Sequence, residues 1–153
     1  MSAATSLEIN ITPDWEGLVS CIRREGTPSR VHYIELFLDS EVQTAICRRF
    51  DLLDDLDPGQ DRFDQKRHIA VQRFLGYDYV RGGLDGFAMP LKHLNTEDTA
   101  ELQRAGGRSY MELHKGPITN WEEFENYPWP DPHALTTESL EWYQANLPDD
   151  MCI

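Results

Sequence analysis

The chain has 153 residues, with 14 Lys and Arg against 27 Asp and Glu and a formal net charge of −13. That length suits one domain with a real core, and so acidic a surface repels phosphate backbones, which excludes nucleic acid as an expected partner. No run approaches the roughly 20 apolar residues of a membrane span, and Met1 to Asn10 has neither the basic start nor the apolar centre of a signal peptide.

Cys21, Cys47 and Cys152 are odd in number and far apart, which fits reduced thiols better than a disulfide frame. The expectation is a cytoplasmic protein with no membrane partner.

In chain order, residues 1–10 are expected to be a disordered tail, and 11–153 one domain. Thr12 and Pro13 offer a cap and a first helical position, and Trp15, Leu18, Val19 and Ile22 recur at helical spacing before Gly26, predicting a helix over 13–25. The nearly continuous apolar run over 31–38 reads as a strand buried on both faces. Asp39 or Ser40 caps a following helix whose inner face is Val42, Ala45, Ile46 and Phe50. An acidic loop over 51–60 leads to a helix over 62–75, with Phe63, Ala70, Val71 and Phe74 inward and Gly76 closing it.

Residues 77–81 read as the next parallel strand, joined to the first by a right-handed crossover, with Gly82 to Gly86 as the loop at its end. Strand-like runs over 99–104 and 108–114 flank Ala105-Gly106-Gly107 and predict a β-hairpin. Asn120 and Glu123 have the spacing of a capping box for a short helix. Pro128, Pro130 and Pro132 forbid its continuation. A last helix starts at Thr136 or Thr137, carries Leu140, Tyr143 and Leu147 on one face, and ends before Pro148. Residues 149–153 read as the approach to a third strand.

Two stretches stand out from ordinary loop composition: Gly116-Pro-Ile-Thr-Asn-Trp-Glu-Glu-Phe-Glu-Asn-Tyr-Pro-Trp-Pro-Asp-Pro132 and Arg30-Val-His-Tyr-Ile-Glu-Leu-Phe-Leu-Asp39. Together they resemble the N-terminal third to half of the uroporphyrinogen decarboxylase-like superfamily, from about Trp15 onward. That superfamily contains the decarboxylase and the corrinoid-dependent methyltransferases. The resemblance implies an α/β fold, a (β/α)8 (TIM) barrel that is only partial here, with an N-terminal helix and an inserted β-hairpin. A closed barrel takes at least about 200 residues, so this chain is expected to be an incomplete one.

Barrel enzymes place their chemistry at the C-terminal ends of the strands. That rule selects Glu35 and Asp39 after the first strand and Arg81 and Asp85 after the second. Glu35 and Asp85 are the candidate catalytic residues, Arg81 and Asp39 the candidate substrate contacts. Ordinary alternatives are a paired carboxylate for Glu35, a helix cap for Asp39 and an Asp-Gly turn for Asp85.

The resemblance implies that a decarboxylase aspartate accepting pyrrole N–H bonds follows another aspartate by seven residues, an interval that Asp78 and Asp85 keep. The decarboxylases also resemble one another in an arginine-rich segment, Arg-Gln-Ala-Gly-Arg-Tyr, where this chain reads Glu35-Leu-Phe-Leu-Asp-Ser40. Uroporphyrinogen is a polycarboxylate, and an acidic mouth repels it. The methyltransferase branch is therefore the first expectation, with a small-molecule substrate or a corrinoid protein as partner.

Zinc and corrinoid are implied for the full methyltransferase, with the zinc ligands (His-x-Cys and a distant Cys) in the family's C-terminal half. This chain is expected to contribute no metal ligand and no cofactor of its own, because His32, His68, His93, His114 and His133 never stand two residues from a cysteine. Cys21 and Cys47 fall on predicted helices, where a thiol is usually buried and inert. Trp121, Phe124, Tyr127 and Trp129 read as a staple holding a loop against the barrel, or else as a shelf on which a ligand stacks.

Two alternatives accompany the methyltransferase: tetrapyrrole decarboxylation centred on Asp85, and a non-catalytic product, either truncated or a half-barrel completed by a partner. A barrel stopped after two strands leaves an open edge, so the chain alone is expected to be inactive, and marginally stable or self-associating.

Overall fold

The computed structural model describes residues 11–35, 37–54, 57–102, 104, 106–111 and 116–153. The expected tail over 1–10, Ala105 of the expected turn, and the end of its second strand through His114 lie outside the described residues. Five α-helices are present: α1 (Trp15–Arg23), α2 (Ser40–Phe50), α3 (Phe63–Phe74), α4 (Trp121–Glu125) and α5 (Glu138–Asn146). With them stand a 3-10 turn (Pro132–Ala134) and one antiparallel sheet of β1 (His93–Thr96) and β2 (Arg108–Met111). The chain divides into two units, one holding the described residues up to Gly82 together with Leu140–Ile153, the other Gly83–Ser139.

This is not a partial (β/α)8 barrel. Among the described residues no parallel ladder forms, and the described residues of the two predicted barrel strands, 31–38 and 77–81, belong to no named strand. A single parallel bridge joins Tyr79 to Cys152, through Val80 N–H to Cys152 O at 2.8 Å and Cys152 N–H to Asp78 O at 3.0 Å. The apolar side chains of the first segment are largely in water: Val31 is 75% exposed, Ile34 62% and Phe37 78%. An apolar run is ambiguous in sequence, because a ladder needs backbone partners as well as side chains to bury.

What ties these segments together is a side chain. Asp78 is wholly buried, and its Oδ1 accepts the backbone N–H of Asp14 at 2.7 Å and the Arg30 guanidinium. Its Oδ2 lies 2.8 Å from His32 Nδ1. A buried carboxylate is tolerable only when such donors surround it. Asp14 in turn caps α1, its Oδ1 accepting Gly17 N–H at 2.9 Å, so the cap is Asp14 and not Thr12. The far end of α1 closes on Arg24, at φ +59°.

Helices α2 and α3 pack on one another. Cys47 and Val71 are buried, and the rings of Phe50 and Phe74 meet at 4.5 Å between centroids. Arg67 is buried beside them: it donates to Thr44 Oγ1 at 2.8 Å and to Asp64 Oδ1 at 2.7 Å, with its guanidinium 5.1 Å from the Phe63 ring. Predicted inward positions Phe63 and Val71 are buried. A second cluster gathers Val80, Tyr143 and Met151, with Ile69, Trp142 and Leu147 against it. The chain's last residues are held by Trp15 Nε1–H to Asp149 O at 3.0 Å and by the Arg73–Asp150 ion pair.

In the second unit β1 and β2 pair with His93 opposite Met111 and Thr96 opposite Arg108. The hairpin was expected with its first strand over 99–104; the ladder instead uses 93–96, and the longer connection folds around Asp98. That carboxylate accepts N–H bonds from Ala100 at 3.0 Å and Arg104 at 2.7 Å, and Arg108 Nε–H at 2.9 Å. Only glycine suits position 107, where φ is +80° and a Cβ would stand 2.4 Å from Thr96 O. Asn120 caps α4, its Oδ1 accepting Glu123 N–H at 2.9 Å, but Glu123 reaches back to Thr119 N–H at 2.6 Å rather than to the cap residue itself.

Replacing Asp78 with Ala strands Arg30 and His32 against a vacated site. The expected cost is roughly 3–5 kcal/mol, read as a lowered midpoint of urea unfolding. The hairpin carries its own pH signature. The Ala100 and Arg104 N–H groups, then Arg108, hold Asp98 down to about 2 from 3.8. A depressed folded value means that this carboxylate stabilises the fold above its ordinary range and ceases to do so as pH falls towards about 2. The protection factors of the hairpin amides should fall across that window in the natural protein, and Asp98→Asn should flatten the dependence.

Candidate functional site

Glu35 and Arg81 stand on the two extended segments of the first unit. Tyr79 O–H donates to Glu35 O at 3.1 Å, and the Arg81 guanidinium lies 5.4 Å from the Phe37 ring centroid. Tyr77 meets Tyr79 and Tyr33 edge to face, at 6.3 and 6.4 Å between centroids. Burial, then the Glu35 and Tyr79 charges, push the Tyr77 hydroxyl above its ordinary value, so it remains a proton donor through the neutral range. The face is a carboxylate, a guanidinium and a row of aromatic rings, with Glu35, Phe37 and Arg81 open to solvent. Such a set can orient a small molecule with an apolar body and a polar end.

His68 sits beneath this face, 3.2 Å from Gln72 Nε2 and 3.4 Å from the Tyr143 hydroxyl. Burial, then Arg81 and Arg67, push it below its ordinary value, which keeps the imidazole neutral at pH 7. Its nitrogens are committed to Gln72 and Tyr143, so it positions neighbours rather than offering an open base.

Asp39 takes the N-cap position of α2, yet its side chain makes no capping bond; its carbonyl accepts Gln43 N–H at 3.0 Å. Asp85 belongs to the second unit, apart from Glu35, Asp39 and Arg81. Its carboxylate accepts Ser139 N–H at 2.8 Å on one oxygen and the Ser139 hydroxyl on the other, while its backbone pairs with Thr136. Gly86 follows it at φ +80°, and the carboxylate is a clamp on Ser139 in the first turn of α5.

Burial raises the Cys47 thiol against the opposing pull of Arg67, and burial followed by Asp78 raises Cys152. Neither is a ready nucleophile. Cys21, expected to be buried, is exposed. Among the described residues no three His, Cys, Asp or Glu side chains are grouped to hold a metal ion. They do not fit a zinc site, and no metal-dependent step is derived from them. Likewise, no helix among them is long and apolar enough to cross a membrane.

Sequence reasoning passed over His32 and Asp78. It used His32 only as a histidine without a nearby cysteine and Asp78 only as a spacing mark. The signal was there: one carboxylate inside Tyr77-Asp78-Tyr79-Val80 has to find hydrogen-bond donors if that stretch is buried, and Arg30 and His32 offer them on the neighbouring segment. His32 is 3% exposed in its side chain, and its Nε2 is buried without a hydrogen-bond partner.

No protein-family model matches the chain, and no curated protein and no solved structure shows significant similarity to it.

Proposed function

We propose that the chain serves methyl transfer of the kind carried out by the corrinoid-dependent methyltransferases that its sequence resembles, although its described residues do not build the (β/α)8 barrel of that superfamily. The observation that favours methyl transfer over tetrapyrrole decarboxylation is the state of Asp85. Both its oxygens are taken by Ser139, so it does not present the free anionic acceptor that converging pyrrole N–H groups require. The acidic Glu35 in place of the decarboxylase arginines points the same way. In this reading Glu35 and Arg81 contact the small-molecule substrate, Tyr77 and Tyr79 position it, and zinc and corrinoid are held by groups other than the described residues.

The test is a paired assay on the full-length protein in its native form. Methyl transfer from a methylated corrinoid to a thiol, read as thioether by mass spectrometry, is the expected outcome, with no coproporphyrinogen formed from uroporphyrinogen. Glu35→Gln should lower kcat/KM roughly tenfold, equivalent to about 1.4 kcal/mol of transition-state binding. Porphyrinogen turnover without thioether would overturn the proposal.

A second reading, a non-catalytic chain completed by a partner, is favoured by the exposure of Val31, Ile34 and Phe37. It expects the purified chain to self-associate, and Phe37→Asp to shift it to monomer in light scattering. A natural chain that is already monomeric would remove it.

A further inference from the structure

The segment that stands out most in the sequence is absorbed by none of the roles above. In the second unit Trp121, Phe124, Trp129 and Tyr127, in that order, form a chain of rings with successive contacts of 5.5, 5.1 and 4.8 Å between centroids, at interplanar angles of 83°, 64° and 64°. Rings set so steeply make a corner with walls, where a flat stack would close its own faces. The corner is built and held: Trp129 Nε1–H donates to Phe124 O at 3.2 Å and Tyr127 O–H to Pro90 O at 3.1 Å. These bonds hold the Trp129 and Tyr127 rings in place. They remain open nonetheless, Trp121 being 78% exposed, Trp129 49% and Phe124 42%. Beside them Ile118, Thr119, Asn120, Trp121 and Phe124 line a hollow of about 420 Å³.

The charge around this corner has one sign. From Gly116 to Ser139 the chain carries Glu122, Glu123, Glu125, Asp131 and Glu138 and neither Lys nor Arg. Glu123 is occupied with Thr119, whereas Glu122 and Glu125 are exposed on the short helix that bears Trp121. Glu125 follows Trp121 by four residues and so shares its helix face. Aromatic faces attract cations through the ring quadrupole, and a carboxylate rim adds a Coulomb term of the same sign. An anionic or neutral polar ligand gains nothing from such a site.

We propose that this corner is a binding site for a small organic cation of the quaternary ammonium class, its methyl groups against Trp121, Phe124 and Trp129 and its charge facing Glu122 and Glu125. A quaternary ammonium suits the site because it has no N–H that demands an acceptor and sheds its hydration readily. The proposal is independent of methyl transfer, since it needs only the rings and the rim.

Choline and its neutral isostere 3,3-dimethylbutan-1-ol make the decisive pair, added to the 15N-labelled chain with the indole N–H signals followed by NMR. Choline should shift the Trp121 and Trp129 signals, leave those of Trp15 and Trp142 in place, and bind in roughly the millimolar range expected of so small a ligand. Trp121→Leu should weaken it by roughly two- to fivefold. The Glu122→Gln/Glu125→Gln double variant should weaken it further at low salt and abolish most of its salt dependence. The β1–β2 amide signals report whether each variant keeps its fold. Equal shifts from the neutral isostere, undiminished binding in the double glutamine variant, or no shift with choline would each overturn the proposal. A proline-rich peptide moving the same signals where choline does not would assign the corner to peptide recognition instead.

Discussion

The first unit depends on a single buried carboxylate. Asp78 holds the entry of α1 through the Asp14 N–H, the start of the apolar segment through Arg30 and His32, and by its own carbonyl the chain near Cys152. These contacts join parts of the sequence that no regular ladder connects. A buried Asp surrounded by donors is specific in a way that apolar packing is not, because each donor has one direction and one distance at which it works. The absence of sheet pairing along 31–38 among the described residues and the presence of this cluster are two sides of one arrangement: side-chain bonds fix the segment where backbone bonds do not.

The second unit repeats the device. Asp98 collects two N–H groups and Arg108 to define the hairpin connection, and Asp85 clamps Ser139. In each unit a carboxylate accepts backbone N–H groups that would otherwise need water, so part of the acidity of the chain is structural. Around the aromatic corner Glu123 and Asp131 are used in the same way, on Thr119 and His133, while Glu122 and Glu125 are exposed and are the part that bears on ligand choice.

The helices were legible because their signals are local. The cap at Asn120, the inward stripe of Phe63 and Val71, and the stop at Pro148 all act within a few residues, and α2, α3, α4 and α5 lie close to their expected spans. Even there local chemistry had choices: Asp14 outcompeted Thr12 as a cap, and Ile22 of the predicted α1 stripe is 66% exposed. The strands were not legible in the same way. An apolar run predicts burial only if something covers it, and among the described residues neither 31–38 nor 77–81 builds the parallel ladder that a barrel requires, 77–81 having only the single bridge from Tyr79 to Cys152. The hairpin was anticipated at Gly106-Gly107, but its register was not, since the eleven residues between Thr96 and Arg108 could pair in several ways.

The candidate residues divide along the same line. By composition alone the sequence determined an acidic surface, the absence of a long apolar span, and an aromatic segment whose carboxylates all have one sign. It also marked Glu35, Asp39, Arg81 and Asp85 as polar groups at the ends of apolar runs. Only the tertiary structure decided that Asp85 is spent on Ser139, that Arg81 lies over Phe37, that His68 is kept neutral beneath two guanidinium groups, and that Trp121 faces water. Charge and periodicity are properties of the chain and survive any folding; the partner of a given carboxylate is a property of distance, and distance between remote residues exists only once the chain has folded.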